Sequence, residues 1–265
     1  IVEDPTERGV LWIASWDSGL VRFDSEKGLS THYHNDPRDA NSLSTNDVRT
    51  VLVDQEGVLW VGTEAGLNRF DRTSGKFSRF KHDPNDSGSI SQNQIRCIYE
   101  DRSGTLWVGT NLGGLNRLDR KTGKFVSYES LVTGRVSAIY AIYEDQQGNF
   151  WIGDYLTGLH LFDRDKGKSI RDFTEKDGLA NNAVVGILED GSGNLWISTR
   201  NGLSKFDLQT RTFKNFWVED GLLDNFLRRG GLKNRDGRMI FVGNKGLTVF
   251  HPDSIKDDPV PPRVL

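Results

Sequence analysis

One phrase recurs along the chain: LWVGTEAGLNRFD begins at Leu59 and LWVGTNLGGLNRLD at Leu106. With the Trp of each copy in register, Trp12, Trp60, Trp107, Trp151 and Trp196 return about every 45 residues, and MIFVGNKGLTVF supplies a sixth copy in which Phe241 is expected to take the Trp place. Within one copy, residues 48–80 read VRTVLVD, a QEG turn, VLWVGT, an EAG turn, LNRF, a DRTSGK turn and FSRF. These are four short β-rich runs broken by Gly-containing turns, without a stretch of helical periodicity to compete. Four-stranded units at this period predict an all-β fold, a β-propeller of four-stranded blades with six recognisable repeats.

The copied residues have architectural explanations. Two positions after each Trp stands a small residue, Ala14, Gly62, Gly109, Gly153, Ser198 and, on the same alignment, Gly243. Alternation in a strand puts the large and the small side chain on one face, where the Trp fills the wedge between blades. The first strands carry a second small column, Thr50, Cys97, Ala141, Gly186 and Gly230, suited to crowding around the axis. Cys97, the single cysteine, is therefore read as a core filler, and it rules out an internal disulfide. Asp54, Asp101, Asp145 and Asp190 open the first-to-second turns, and Asp24, Asp71, Asp119, Asp163 and Asp207 the third-to-fourth turns. Asp at a turn start with Gly where φ becomes positive is turn chemistry, so these carboxylates are read as scaffold.

Strand direction alternates within a blade, so all the Asp-Gly turns fall on one face of the disc. The second-to-third turns and blade-to-blade loops fall on the other, where the copies disagree: Trp16-Asp17-Ser18, Glu64-Ala65, Asn111-Leu112-Gly113, Tyr155-Leu156-Thr157, Arg200-Asn201 and Lys245. Differences between otherwise equal units point to function, because rigid scaffolds carry their sites on loops. The second residue of each first strand, Arg49, Arg96, Tyr140, Val185 and Arg229, is expected at the channel mouth on this face, with Arg135, Arg200, Arg228 and Lys245 nearby. Two readings stay open. The arginines pair with carboxylates of neighbouring blades such as Glu64 or Asp154, or they hold an acidic ligand with Trp16 and Tyr155 as stacking platforms. The candidate ligand-binding set is Trp16, Asp17, Arg49, Glu64, Arg96, Asn111, Tyr140, Tyr155, Arg200, Arg229 and Lys245. Two long polar loops beginning at His34 and His82 reach the same face and suit ordered turns as well as recognition.

A net charge of -3 argues against a nucleic-acid or anionic-membrane binder, and no apolar run is long enough to span a bilayer. The pair His32 and His34 lacks a third ligand nearby in sequence, no GxSxG, HExxH, Walker or GxGxxG motif occurs, and no cofactor or metal is expected. An enzyme would need converging acids, for which Glu64, Asp154 and Asp224 are the plausible trio.

The units LWVGTEAGLNRFD, LWVGTNLGGLNRLD, FWIGDYLTGLHLFD and LWISTRNGLSKFD, each after a D-x-x-G turn, closely resemble two-component regulator propeller repeats. So do the connections NDPRDANSLSTNDV and HDPNDSGSISQNQI and the ending DGRMIFVGNKGLTVFHPDSIKDDPVPPRVL. The resemblance implies a non-enzymatic, extracytoplasmic (periplasmic) ligand-sensing module of a histidine kinase receptor, with oligosaccharides as frequent ligands. It implies that residues 1–251 are the propeller and residues 252–265 a proline-containing linker toward an immunoglobulin-like domain of the same parent chain, with a homodimer as a further expected partner. Propellers of the family usually close with seven blades, whereas six units are read here, the first starting inside its opening strand and the last lacking an evident fourth strand. The chain is thus expected to be a fragment of the sensor. Competing readings are a propeller enzyme (lyase, lactonase or glycosidase) and a protein-binding propeller.

Overall fold

A computed structural model describes residues 1–131 and 135–255, apart from the Arg229 side chain. It is a β-propeller of six antiparallel blades in a ring, and among the described residues five sheets have four strands and the last has three. The strands of blade 2 are Val48–Val53, Leu59–Thr63, Gly66–Asp71 and Lys76–Phe80, and the other blades repeat this order from axis to rim. Blade 1 opens with only Val2–Glu3, and blade 6 consists of Leu227–Lys233, Met239–Gly243 and Leu247–Phe250. Of the expected linker, Pro252–Ser254 forms one turn of 3-10 helix, and residues 256–265 lie outside the described residues.

Five apolar clusters fill five blade-to-blade interfaces. In each, the Trp of one blade enters the flank of the next: Trp60 and Leu67 of blade 2 meet Ile95, Leu106, Val108 and Phe125 of blade 3. The same arrangement holds Trp107 against Phe150 and Ile152, and Trp196 against Leu227, Met239 and Phe241. A Cβ added to Gly109 would meet Cys97 Sγ at 2.5 Å and the Ile139 carbonyl oxygen at 2.6 Å, which is why the place beside each Trp is small.

The Asp-Gly turns and the Trp column form one device. In each turn one Asp oxygen accepts backbone N–H groups of the turn, and the other accepts the indole N–H: Asp54 from Trp60 at 2.8 Å, Asp101 from Trp107 at 2.8 Å, Asp190 from Trp196 at 2.9 Å. The same oxygen takes an arginine from the third-to-fourth turn of the next blade, Arg72 onto Asp4 at 2.7 Å, Arg120 onto Asp54 at 2.6 Å and Arg164 onto Asp101 at 2.9 Å. On Asp145 and Asp190, an Asn four residues on, Asn149 or Asn194, donates to that oxygen instead. At Asp4, Asp54, Asp101 and Asp190 burial alone would raise the carboxyl, but the hydrogen bonds outweigh it; Asp4 is lowered to about 2 by Arg72, Trp12 and Thr6.

Two sequence expectations change. Met239–Gly243 pairs with Phe250 and Lys233 as Leu195–Thr199 pairs with Phe206 and Glu189, so Ile240, not Phe241, holds the Trp place and Val242, not Gly243, the small one. Phe241 instead points back into the interface with blade 5. The ring meets itself at Arg235 and Glu3, 3.2 Å apart, positions equivalent to Gln55 and Glu100, which join blades 2 and 3. This junction is looser than the others: Leu11, Ile13 and Phe23 are only half-buried where Leu59 and Val61 are fully buried, and Leu232 and Leu247 are each 58% exposed.

Candidate functional site

The innermost strands place the candidate side chains. Register shifts fall between Val48 and Thr50, between Ile139 and Ala141, between Val184 and Gly186, and opposite Ile95–Cys97, leaving Arg49, Tyr140, Val185 and Arg96 as extra residues. These are β-bulges, which re-aim a side chain and end regular pairing. The column noticed in the sequence is therefore a column of bulge residues at the channel mouth. In blade 6 the shift is wider, from Leu227 to Gly231; it contains Arg229, whose side chain lies outside the described residues.

Across this mouth, cations and rings alternate. The Arg49 guanidinium lies 4.2 Å from the Trp16 ring centre, and Trp16 is 57% exposed. Arg49 donates to Asp47 at 2.8 Å, and its Nε sits 2.6 Å from Glu64, an ion-pair contact without hydrogen-bond alignment. Arg96 of the next blade donates to the same Glu64 carboxylate. The Arg96 guanidinium lies 5.8 Å from the Tyr140 ring, which stacks on Tyr155 at 4.8 Å. Tyr155 is followed by Arg200 at 5.3 Å, and Arg200 by Phe226 at 4.3 Å. One band thus runs from blade 1 to the loop entering blade 6. Beside it opens a channel cavity of about 470 Å³ bordered by Arg49, Arg96, Cys97, Tyr140 and Ile240.

Seven of the candidate residues come together here: Trp16, Arg49, Glu64, Arg96, Tyr140, Tyr155 and Arg200. Asn111 is tied instead to Gln94 by its side chain at 2.8 Å, while Asp17 and Lys245 are exposed turn residues away from these contacts. Asp47 and Phe226 belong to the band and were not singled out in the sequence. Asp47 stands two residues before Arg49, a spacing that could have signalled the pair. Phe226 lies in a loop that copies the one entering blade 5, with the same 3-10 turn and Asn contact, and stands where that loop has Ala183.

The long loops use their polar side chains internally. Asn35 N–H donates to Asn46 at 2.7 Å, Asp36 N–H to Ser42 at 2.8 Å, and in the next loop His82 N–H to Asn93 at 2.8 Å. This is the ordered-turn alternative. The proposed acidic trio disperses into structural roles: Glu64 neutralises two arginines, the buried Asp154 accepts from Leu156 N–H at 2.7 Å, and Asp224 accepts from Phe226, Asn244 and Lys245. The N–H of Phe226, then those of Asn244 and Lys245, hold the Asp224 carboxyl below the ordinary range. His32 and His34 stack on one another, and no group of three metal-ligating side chains occurs among the described residues.

The fold is a six-bladed β-propeller whose variable second-to-third turns share one face. Segments 42–65, 89–112, 133–155 and 178–201 match the two component regulator propeller family model, and the chain belongs to that family. It is 31% identical over 260 residues to histidine kinase P4 of Formosa agariphila, spanning 97% of this chain and 16% of that protein's length. Its fold is similar to the extracellular domain of a putative one-component system from B. thetaiotaomicron, with a TM-score of 0.68 and 21% identity over 95% of this chain and 41% of that one. It is also similar to virginiamycin B lyase from Staphylococcus aureus, with a TM-score of 0.65 and 15% identity over 94% of this chain and 83% of that one. Among the described residues no helix is long and apolar enough to cross a membrane.

Proposed function

We propose that this propeller is the non-enzymatic, ligand-sensing module of an extracytoplasmic (periplasmic) two-component receptor, and that its ligand is an oligosaccharide or similar polar molecule bound across the variable face. The observation that carries this reading is the band from Trp16 to Phe226. It is built from residues that differ between blades, on a scaffold whose repeated residues are occupied in turns and interfaces. Exposed or half-buried rings give flat apolar platforms for sugar faces, and the polar groups between them can meet hydroxyls. Kinship with a histidine kinase supports the signalling role. The dispersal of Glu64, Asp154 and Asp224 into turn and ion-pair roles supports recognition over catalysis, although a lyase shares the fold.

The test is a thermal-shift screen against a library of neutral and acidic oligosaccharides, repeated with Trp16→Ala and Tyr155→Ala. A ligand that raises the midpoint of the native protein and loses its effect in both variants is the expected result. A ligand insensitive to both substitutions would place recognition elsewhere, and chemical turnover of any library member would reverse the non-enzymatic assignment.

A further inference from the structure

The cations at the mouth are not equivalent. Arg49 and Arg96 face two carboxylates, Asp47 and Glu64, so that part of the band carries no net charge. Arg228 donates to the neutral side chain of Asn244 at 3.0 Å, and both Arg228 and Lys245 are exposed. Arg200 is different. Tyr155 covers the guanidinium at 5.3 Å and Phe226 at 4.3 Å, and its Nε is closed off from water without a hydrogen-bond partner. Among the described residues no carboxylate pairs with it. Asp154 of the neighbouring blade also keeps one buried oxygen unpartnered, but no ion pair joins the two.

A half-buried guanidinium that has lost part of its hydration and gained no counter-ion is electrostatically incomplete. Rings restrict approach to its faces, and the closed Nε removes one edge. What remains is the end-on edge of the two terminal nitrogens, whose planar fork matches an oxyanion with two equivalent oxygens. The stacked pair Tyr140 and Tyr155 continues from this point as a platform for the rest of such a ligand.

We propose that Arg200 is the anion-binding point of this face, taking one carboxylate or sulfate group carried by a saccharide whose ring stacks on the adjoining tyrosines. The proposal rests on the sensor reading above and adds charge selectivity to it. Of the two readings the sequence left open for Arg49 and Arg96, the contacts favour ion pairing, with Glu64 between blades 2 and 3.

The test follows arginine side-chain nitrogen-proton signals by NMR while the protein is titrated with sodium glucuronate, with inorganic sulfate and with glucose, at constant ionic strength. The Arg200 signal, assigned by its loss in Arg200→Gln, is expected to move saturably with glucuronate or sulfate and not with glucose. The oxyanion that saturates at lower concentration identifies the group. Arg200→Gln should weaken binding of that oxyanion by about tenfold or more, as loss of a charge-assisted fork implies, with Arg200→Lys intermediate. If Arg200→Gln does not fold, Arg200→Lys, which also lacks the guanidinium signal, supplies the assignment and the Arg200 signal of the native protein decides. An unmoved Arg200 signal, or equal movement with glucose, overturns the proposal. Neutral oligosaccharides that bind undiminished to Arg200→Gln would overturn it while leaving the sensor reading intact, whereas a library without any binder removes the sensor reading itself.

Discussion

Removing the Asp101 carboxylate should unfasten three elements at once. Its Oδ1 accepts N–H groups of Ser103 and Thr105 at 3.0 Å each and the Ser103 hydroxyl at 2.5 Å, and its Oδ2 accepts Trp107 Nε1–H at 2.8 Å and Arg164 at 2.9 Å. In Asp101→Ala the buried indole N–H loses its partner, a penalty of about 1–3 kcal/mol. Arg164 keeps Glu144 at 2.9 Å, so its charge is only partly stranded. Adding the lost turn closure, the total should be about 3–5 kcal/mol, the range for breaking a buried charged network from one side. Asp101→Asn tests the mechanism more sharply: if the amide oxygen serves the turn, the amide N–H groups face the Trp107 and Arg164 donors. It should therefore recover little. Urea unfolding followed by tryptophan fluorescence measures both, with Asp71→Ala, in an exposed turn, as a control expected to lose much less. A loss below about 1 kcal/mol for Asp101→Ala, or native-like stability of Asp101→Asn, would show that packing alone holds Trp107.

The pH dependence should follow from the same turns. Asp4, Asp54, Asp101 and Asp190 have folded-state pKa values below their usual ones, so their contribution is full above the unfolded value of about 4 and is lost as pH falls through the depressed folded values, about 2 for Asp4. Glu100 and Glu189, raised by burial, act in the opposite sense and offset part of the loss. Stability measured from pH 6 down to 2 should fall below pH 4, and a flat profile would contradict the latch. In blade 6, Phe241→Ala should cost about 3–5 kcal/mol as a buried aromatic, with Ile240→Ala costing clearly less; the reverse order would restore Phe241 to the Trp place.

The sequence alone determined the architecture because each blade is specified by chemistry that acts within one unit or between consecutive units. An Asp-Gly turn, an alternating strand and a Trp beside a small residue recur in register, and five of the six Trp-place assignments hold in the structure. The sixth failed because MIFVG contains two adjacent large apolar residues, and strand pairing decides which of Ile240 and Phe241 faces blade 5. The site was legible only as a list of variable positions. Its geometry depends on bulges, which are register shifts between strands, and on distances between side chains of different blades. For Arg49 and Arg96 the chain left ion pairing and ligand binding both open; the ring brings Glu64 against both, while Arg200 meets Phe226 and no carboxylate among the described residues. Charge compensation is a property of neighbours in space, so only the tertiary structure could separate the arginines paired with Glu64 from Arg200, which has no carboxylate partner among the described residues.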